Sequence, residues 1–565
     1  MSRPSPLTPE RALLFAMLIG VAIYWRDLSY DFILDDLPLI MTNPTIASWR
    51  NLKTIFLTDI FYSPYTPAGN SMHYRPAYMS WLVLNNELFG MVLPWWHLTS
   101  LLLHLLVTLL VYQLAVKILK ERWLAALAAA LFVLHPLHAE SVAYVTASSD
   151  LLVAFFSIAA LLFYFQFREG GHTGYLVASV LGAAAAMFSK ESAGMFPWML
   201  VVYEALTGRH QGQSEPRPWK RYVWTLPYFG VVAAYLVART CLFGFNAGPG
   251  PGGNRLAALL NVPLVVFIYL KNLLLPARLS IYYPPEWSTR WTVGRGSAVV
   301  LVLLAVVLVW RRYKDHSGVQ VLLSWTAILL IPPALAVSTF VSDEWVHDRH
   351  IYLASIPFCL LIARLLADVC HSPKQLVVLS SAVLLLLGID TCYQVPRFQD
   401  EISLYASALK VAPTNATLHR FYAAALWNRK RQEQALQELQ AVIELQPDSP
   451  YSHGEYANLL SEIGRSAEAL VEYDKALQRA KASSPLRASL LYRIALVETE
   501  PSQLDAAAAH LREAVEIAPK MLNYHAALAE VLRKQGNIPE ADEELRIKTT
   551  NRKQFLETQR AFAQR

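Results

Sequence analysis

Long apolar runs constrain this chain more than any other feature in it. The stretches Leu98 to Ile118 and Val299 to Trp310 are typical of a series of them, and about 20 such residues, at 1.5 Å of rise each, carry a helix across a bilayer. Of the 565 residues 55% are hydrophobic and only 16% are charged, whereas a soluble domain carries about a quarter charged. Short pauses between the runs predict a helical bundle in a membrane.

Charge excludes some partners and orients the bundle. The formal charge of +6 is spread along the chain, which is no footprint for nucleic acid. Cys241, Cys359, Cys370 and Cys392 are dispersed, with neither ligand spacing nor a disulfide framework. The first run, Leu13 to Trp25, follows Arg3 and Arg11 and precedes no small-residue cleavage site, so it reads as an uncleaved signal-anchor.

Spans are expected near 11–26, 95–118, 123–143, 150–167, 175–189, 194–207, 222–240, 297–312, 319–340, 350–368 and 375–392, about eleven crossings in all. Basic residues gather in alternate loops, at Lys117/Lys120/Arg122, Arg209/Arg217/Lys220/Arg221, Arg311/Arg312/Lys314 and Lys374. Basic loops stay cytoplasmic, which predicts an inside N-terminus in a multi-pass inner-membrane protein and puts the C-terminal part outside. The segment 256–275 holds Pro263, Lys271 and Asn272, and reads as a re-entrant or surface-lying helix on the outer face. Nearly all ionisable residues at span ends then share that face, where charge needs a reason.

Residues 1–394 form this membrane domain, and 395–565 follow a different pattern. With a period of about 34, small residues recur at Ala423/Ala435, Ala457/Ala469/Ala476, Ala495/Ala507/Ala514 and Ala529/Ala541, and prolines at Pro413, Pro447, Pro485 and Pro519. That is the tetratricopeptide signature, about four helix pairs in an α-solenoid that binds an extended peptide or a partner protein. The fold class is all-α throughout.

Five constellations in the membrane domain can carry chemistry. Asp35 and Asp36 open the first outer loop, where like charge and partial desolvation raise a carboxyl towards a general base's range; a solvated turn is the bland alternative. Tyr74-Arg75-Pro76 puts an arginine at the outer interface, to grip a phosphate with two hydrogen bonds or to snorkel to headgroups. His135-Pro136-Leu137-His138-Ala139-Glu140 precedes Asp150; the two histidines and Glu140 are candidate metal ligands, but Pro136 breaks the helix and the spacing fits no named zinc motif. A polar lining that orients substrate is therefore favoured, with no metal assigned. In Ser189-Lys190-Glu191 the lysine either faces a phosphate with Glu191 holding it or neutralises Glu191. In Asp348-Arg349-His350-Ile351-Tyr352, Arg349 can offset a leaving phosphate or pair with Asp348.

As an ordered set, these motifs, with Trp96-His97 and His104 and then the repeats, resemble the transmembrane and tetratricopeptide repeat-containing (TMTC) protein O-mannosyltransferases and their bacterial relatives, within the GT-C glycosyltransferase fold. The resemblance implies inverting transfer of a sugar, most simply mannose, from a polyprenyl-phosphate carrier to Ser or Thr hydroxyls of a protein acceptor, on the outer face and without a nucleotide sugar. It implies a base within the pair Asp35/Asp36, phosphate contacts from Arg75, Lys190 and Arg349, and a site lined by Tyr74, His97, His135, His138, Glu140, Asp150 and Glu191. No cofactor is assigned beyond the lipid-linked donor, with a divalent metal as the lesser alternative. One departure stands out: where relatives often show Gly-Arg-Ala before the aspartate, this chain has Ala147-Ser148-Ser149 before Asp150.

Two rivals remain open at this stage. A transporter would use the polar residues as a path, although they crowd one face. An inactive scaffold would use only its repeats, to assemble envelope proteins.

Overall fold

The computed structural model describes residues 8–62, 73–210, 218–244, 255–283, 292–336, 346–498 and 500–563, and every regular element among them is helical. Seven helices are long and apolar enough to cross a membrane: Pro9–Ser29, Leu93–Leu119, Val145–Gly170, Trp219–Phe243, Ser317–Leu335, Asp348–Val369 and Pro373–Phe398. An eighth arises if Arg122–Val133 and Pro136–Ala143, bent by 47° at Leu134-His135, count as one span. Helices occupy all the other expected positions too, yet Thr173–Ser189 has 17 residues and Phe196–His210 only 15. Both are shorter than the roughly 20 residues of a full crossing, and Val293–Arg312 is not among the seven either, so seven or eight of the expected eleven are met by helices of that length and apolarity among the described residues. The ambiguous segment is one helix, Arg255–Leu274, with Pro263 inside it. Arg217, in the second basic loop, lies outside the described residues.

Local chemistry sets the helix ends. The Thr8 side chain accepts the Arg11 N–H ahead of Pro9, and proline again stands in the first turn of Pro76–Phe89 and Pro373–Gln394, where its missing N–H costs nothing and its φ is already helical. Gly90, at φ 56°, closes Pro76–Phe89 in a conformation that a side chain resists. The span Pro373–Phe398 is only 6% buried within the protein, so its apolar surface faces outward all round, which suits lipid and would not suit water.

The chain divides into two compact units, Met1–Ala412 and Pro413–Arg565. The division falls later than residue 394 because the helix Glu401–Leu409 packs on the turn Val395–Phe398 of the first unit.

The second unit is four successive helix pairs: Ala416–Asn428 with Gln432–Leu445, Pro450–Glu462 with Ser466–Arg479, Pro485–Val497 with Leu504–Ile517, and Leu522–Lys534 with Ile538–Ala563. The recurring alanines are buried at the helix approaches, seven of them with no exposure at all: Ala435, Ala457, Ala469, Ala476, Ala507, Ala514 and Ala541. A methyl is the largest group that lets two helix backbones come this close. Lys430, Gly464 and Gly536 turn the chain inside the first, second and fourth pairs with φ of 63°, 83° and 83°. The third pair uses a 3-10 turn at Pro501–Gln503 instead.

Candidate active site

The acidic pair sits on a tight reversal beyond the first span. Leu34 adopts φ 49°, a left-handed conformation uncommon for a branched side chain, and the turn closes with the Asp36 N–H donating to the Ile33 carbonyl at 2.9 Å. The two acids then have different surroundings. Asp36 is fully buried; its Oδ2 accepts the Ile33 N–H at 3.1 Å and its Oδ1 the Thr146 N–H at 2.8 Å. Burial pushes its carboxyl up to about 7, against the lowering effect of those two amides. Asp35 is half-buried, its N–H donates to the Tyr144 hydroxyl at 3.0 Å, and its carboxylate makes no hydrogen bond or ion pair among the described residues. Asp36 therefore fastens the loop to Thr146, and Asp35 is left available.

Three cations are each held by a carboxylate, and one of them, Arg349, interacts electrostatically with Asp35. Arg75 makes a bidentate pair with Glu191, at 3.0 Å from Nε and 2.8 Å from Nη2, and His73 stands 3.5 Å from the same acid. Lys190 Nζ lies 2.6 Å from each oxygen of Asp150. Arg349 reaches Glu140 at 2.5 Å through Nη1 and at 3.1 Å through its backbone N–H, and its guanidinium lies 5.3 Å from the centre of the Tyr144 ring. Asp35 and Asp150 both act electrostatically on Arg349, as Arg75 and Arg349 do on Lys190. Burial draws the Lys190 ammonium down from its ordinary range, with Asp150 opposing and the two arginines assisting.

Sequence neighbours are not partners here, which closes one alternative at each of two motifs. Lys190 does not pair with Glu191: its backbone is extended, at φ −162° and ψ 145°, so consecutive side chains leave on opposite sides. Nor does Arg349 pair with Asp348, whose carboxylate takes the Asn272 amide at 2.9 Å and the Tyr283 hydroxyl at 2.8 Å.

The remaining expected residues are held by other protein groups. His135 Nε2 is 3.0 Å from the Leu273 carbonyl, His138 Nε2 is 2.9 Å from the Ser355 hydroxyl, and His97 Nε2 is 3.2 Å from the Tyr30 carbonyl. Glu140 turns to Arg349 and His347 rather than to these rings, and among the described residues no three acidic, histidine or cysteine groups gather as metal ligands. Tyr74 packs edge-on to Phe188 while its hydroxyl donates to the Phe56 carbonyl at 3.0 Å.

Sequence reasoning missed Tyr144, Thr146, His347, Asn272 and Tyr283. Tyr144 and Thr146 carried a faint signal, as polar residues within the short stretch between Glu140 and Asp150. Asn272 and Tyr283 carried none, because only the fold brings that segment to Asp348.

Fold and site together define a multi-pass helical membrane protein with an acidic turn and three carboxylate-held cations drawn from distant ends of its helices. Residues 75–249 match the family model described as dolichyl-phosphate-mannose-protein mannosyltransferase. The protein O-mannosyl-transferase F38B6.6 of Caenorhabditis elegans is 27% identical over 72% of this chain and 59% of its own length. The protein O-mannosyl-transferase TMTC3 of Mus musculus is 25% identical over 95% of this chain and 60% of its own. The chain is similar to these TMTC-type proteins and spans about three-fifths of their length. A crystal structure of the Archaeoglobus fulgidus oligosaccharyltransferase in the apo form superposes with a TM-score of 0.38 at 12% identity, over 72% of this chain and 57% of that one, too loosely to bear on fold or function.

Proposed function

We propose that the protein transfers a sugar, mannose in the simplest case, from a polyprenyl-phosphate carrier to Ser or Thr hydroxyls of protein acceptors. The supporting observation is the convergence of one available carboxylate, Asp35, with Arg349, Lys190 and Arg75 at the ends of apolar helices. A lipid-linked donor keeps its tail in the bilayer and its phosphate at the headgroup boundary, where such a cluster would meet it.

Asp35 takes the proton of the acceptor hydroxyl as that oxygen bonds to the anomeric carbon. The bond from that carbon to the phosphate oxygen breaks on the opposite side, so the configuration inverts and the carrier leaves as polyprenyl phosphate. Arg349, Lys190 and Arg75 offset the charge that grows on the leaving oxygen. Lys190 spends two donors on Asp150 and keeps a third, and the arginines keep further N–H groups beyond their carboxylates. Tyr74, His97, His135, His138, Glu140, Asp150 and Glu191 hold these groups in place. The donor brings its own leaving group, and the reaction as written calls on no cofactor or metal.

On this proposal the membrane unit is a GT-C-type domain whose shorter helices complete about eleven crossings in an inner membrane. Its N-terminus is cytoplasmic, and the helix pairs of the second unit are an extracytoplasmic tetratricopeptide solenoid that docks the acceptor. Incubating membranes with radiolabelled polyprenyl-phosphate mannose and candidate acceptors tests it. Incorporation by wild type and its loss in Asp35→Asn are expected; equal incorporation in both would overturn the proposal. A phosphatase reporter fused after Arg565 should be active in the outer compartment.

A further inference from the structure

Tyr78 occupies the third position of the helix Pro76–Phe89, one turn from Arg75. Its side chain is 1% exposed, and its hydroxyl has no hydrogen-bond partner among the described residues. The hydroxyls of Tyr74, Tyr144, Tyr235, Tyr283 and Tyr352 all have protein partners, whereas those of Tyr24, Tyr30 and Tyr269 share the lack. A buried hydroxyl without a partner is costly, so one kept amid charged groups calls for an explanation. The groups bearing on it electrostatically are Asp36, Arg75, Asp35 and Asp150, both the acidic turn and the cation side of the site.

We propose that the Tyr78 hydroxyl donates a hydrogen bond to the phosphate of the bound lipid-linked donor, on the flank of that phosphate next to Arg75. The inference rests on the transferase proposal for the identity of the donor. Its own footing is the unpartnered hydroxyl together with the helix end that presents it. Pro76 fills the first position and Arg75 provides no side-chain cap, so the first-turn amides and the positive end of the helix dipole add to the attraction for an anion. Of the carboxylates bearing on Tyr78, Asp36 and Asp150 are committed to Thr146, Ile33 and Lys190, and Asp35 is kept for the acceptor hydroxyl in the transferase proposal. A phosphate oxygen thus supplies what the hydroxyl lacks. Arg75 fixes the orientation from the other side while keeping its pair with Glu191.

The test is Tyr78→Phe in the full chain, which keeps the ring and removes only the oxygen. A hydrogen bond to a charged group corresponds to about ten- to a hundredfold in affinity. The KM for polyprenyl-phosphate mannose should therefore rise by about that factor, with a smaller change in kcat. Thermal unfolding of the ligand-free variant in detergent should be unchanged or higher, because a desolvated hydroxyl has gone. In parallel, a short-chain polyprenyl phosphate without sugar should raise the unfolding midpoint of wild type and lose most of that effect in Tyr78→Phe. Equal KM values and equal stabilisation by the phosphate would overturn the inference. If wild type transfers no sugar, the transferase proposal fails, and the phosphate arm still decides whether Tyr78 holds the anion. A variant that unfolds at lower temperature with its phosphate response intact would make Tyr78 a packing residue and also overturn it.

Discussion

The two units use the same side-chain chemistry under opposite conditions. Two ion pairs of the site are sealed, unlike Lys117 with Glu169 elsewhere in the membrane unit at 33% and 57%: Lys190 and Asp150 have side chains 10% and 7% exposed, and Glu140 opposite Arg349 only 3%. In the array, Arg420 and Glu455 bridge two helix pairs with side chains 40% and 33% exposed. Histidines divide the same way. His97, His135 and His138 meet carbonyls or a hydroxyl. His419, His453 and His525 each lie between a glutamate 19 residues on and the carbonyl of the proline six residues back. Charge in the array is periodic and belongs to the repeat. Sealed charge in the membrane unit is irregular and costly, which is why function is assigned there.

The largest effect that can break this contrast is on turnover. Asp35→Asn should lower sugar transfer by about 10³-fold while leaving the unfolding temperature nearly unchanged. Asp36→Asn should lower both, because an amide cannot accept from both Ile33 and Thr146. Next is the sealed pair. Lys190→Met leaves Asp150 buried without its cation and should cost about 3–5 kcal/mol, measured by denaturation in detergent. Adding Asp150→Leu should recover most of that stability without recovering activity, separating a charge kept for function from one kept for folding.

A smaller effect concerns pH. The Asp36 carboxyl sits at about 7 in the fold against an ordinary 3.8, so the folded state binds that proton more tightly than the unfolded chain. The resulting stabilisation is complete below about pH 4 and is lost as pH rises through about 7. Unfolding midpoints taken across that window should fall in wild type and stay flatter in Asp36→Asn. Smallest of all, Arg420→Ala in the array should cost less than about 1 kcal/mol, since an exposed pair is screened and flexible. A loss comparable with that of Lys190→Met would erase the distinction between the units.

Much of this was legible in the residues. The long apolar runs located the helices, and the alanine and proline period located the four pairs, because both depend on spacing along a single helix. Span number was less legible: Thr173–Ser189 and Phe196–His210 are apolar but short, and helix length is settled by where the chain turns. At the site, Asp35, Arg75, Lys190 and Arg349 could be named individually. Their partners could not, since Lys190 with Asp150 and Arg349 with Glu140 join positions 40 and 209 residues apart, and the adjacent acids Glu191 and Asp348 misled.

By itself the sequence determined that this chain is a helical membrane protein with a repeat array, because hydropathy and period follow from each residue's own chemistry and its distance along the chain. Only the tertiary structure decided that Asp36 ties down a loop while Asp35 stays available, and which carboxylate holds which cation. Those outcomes depend on the direction each side chain leaves a turn and on which distant helix end meets it, quantities that no local pattern encodes.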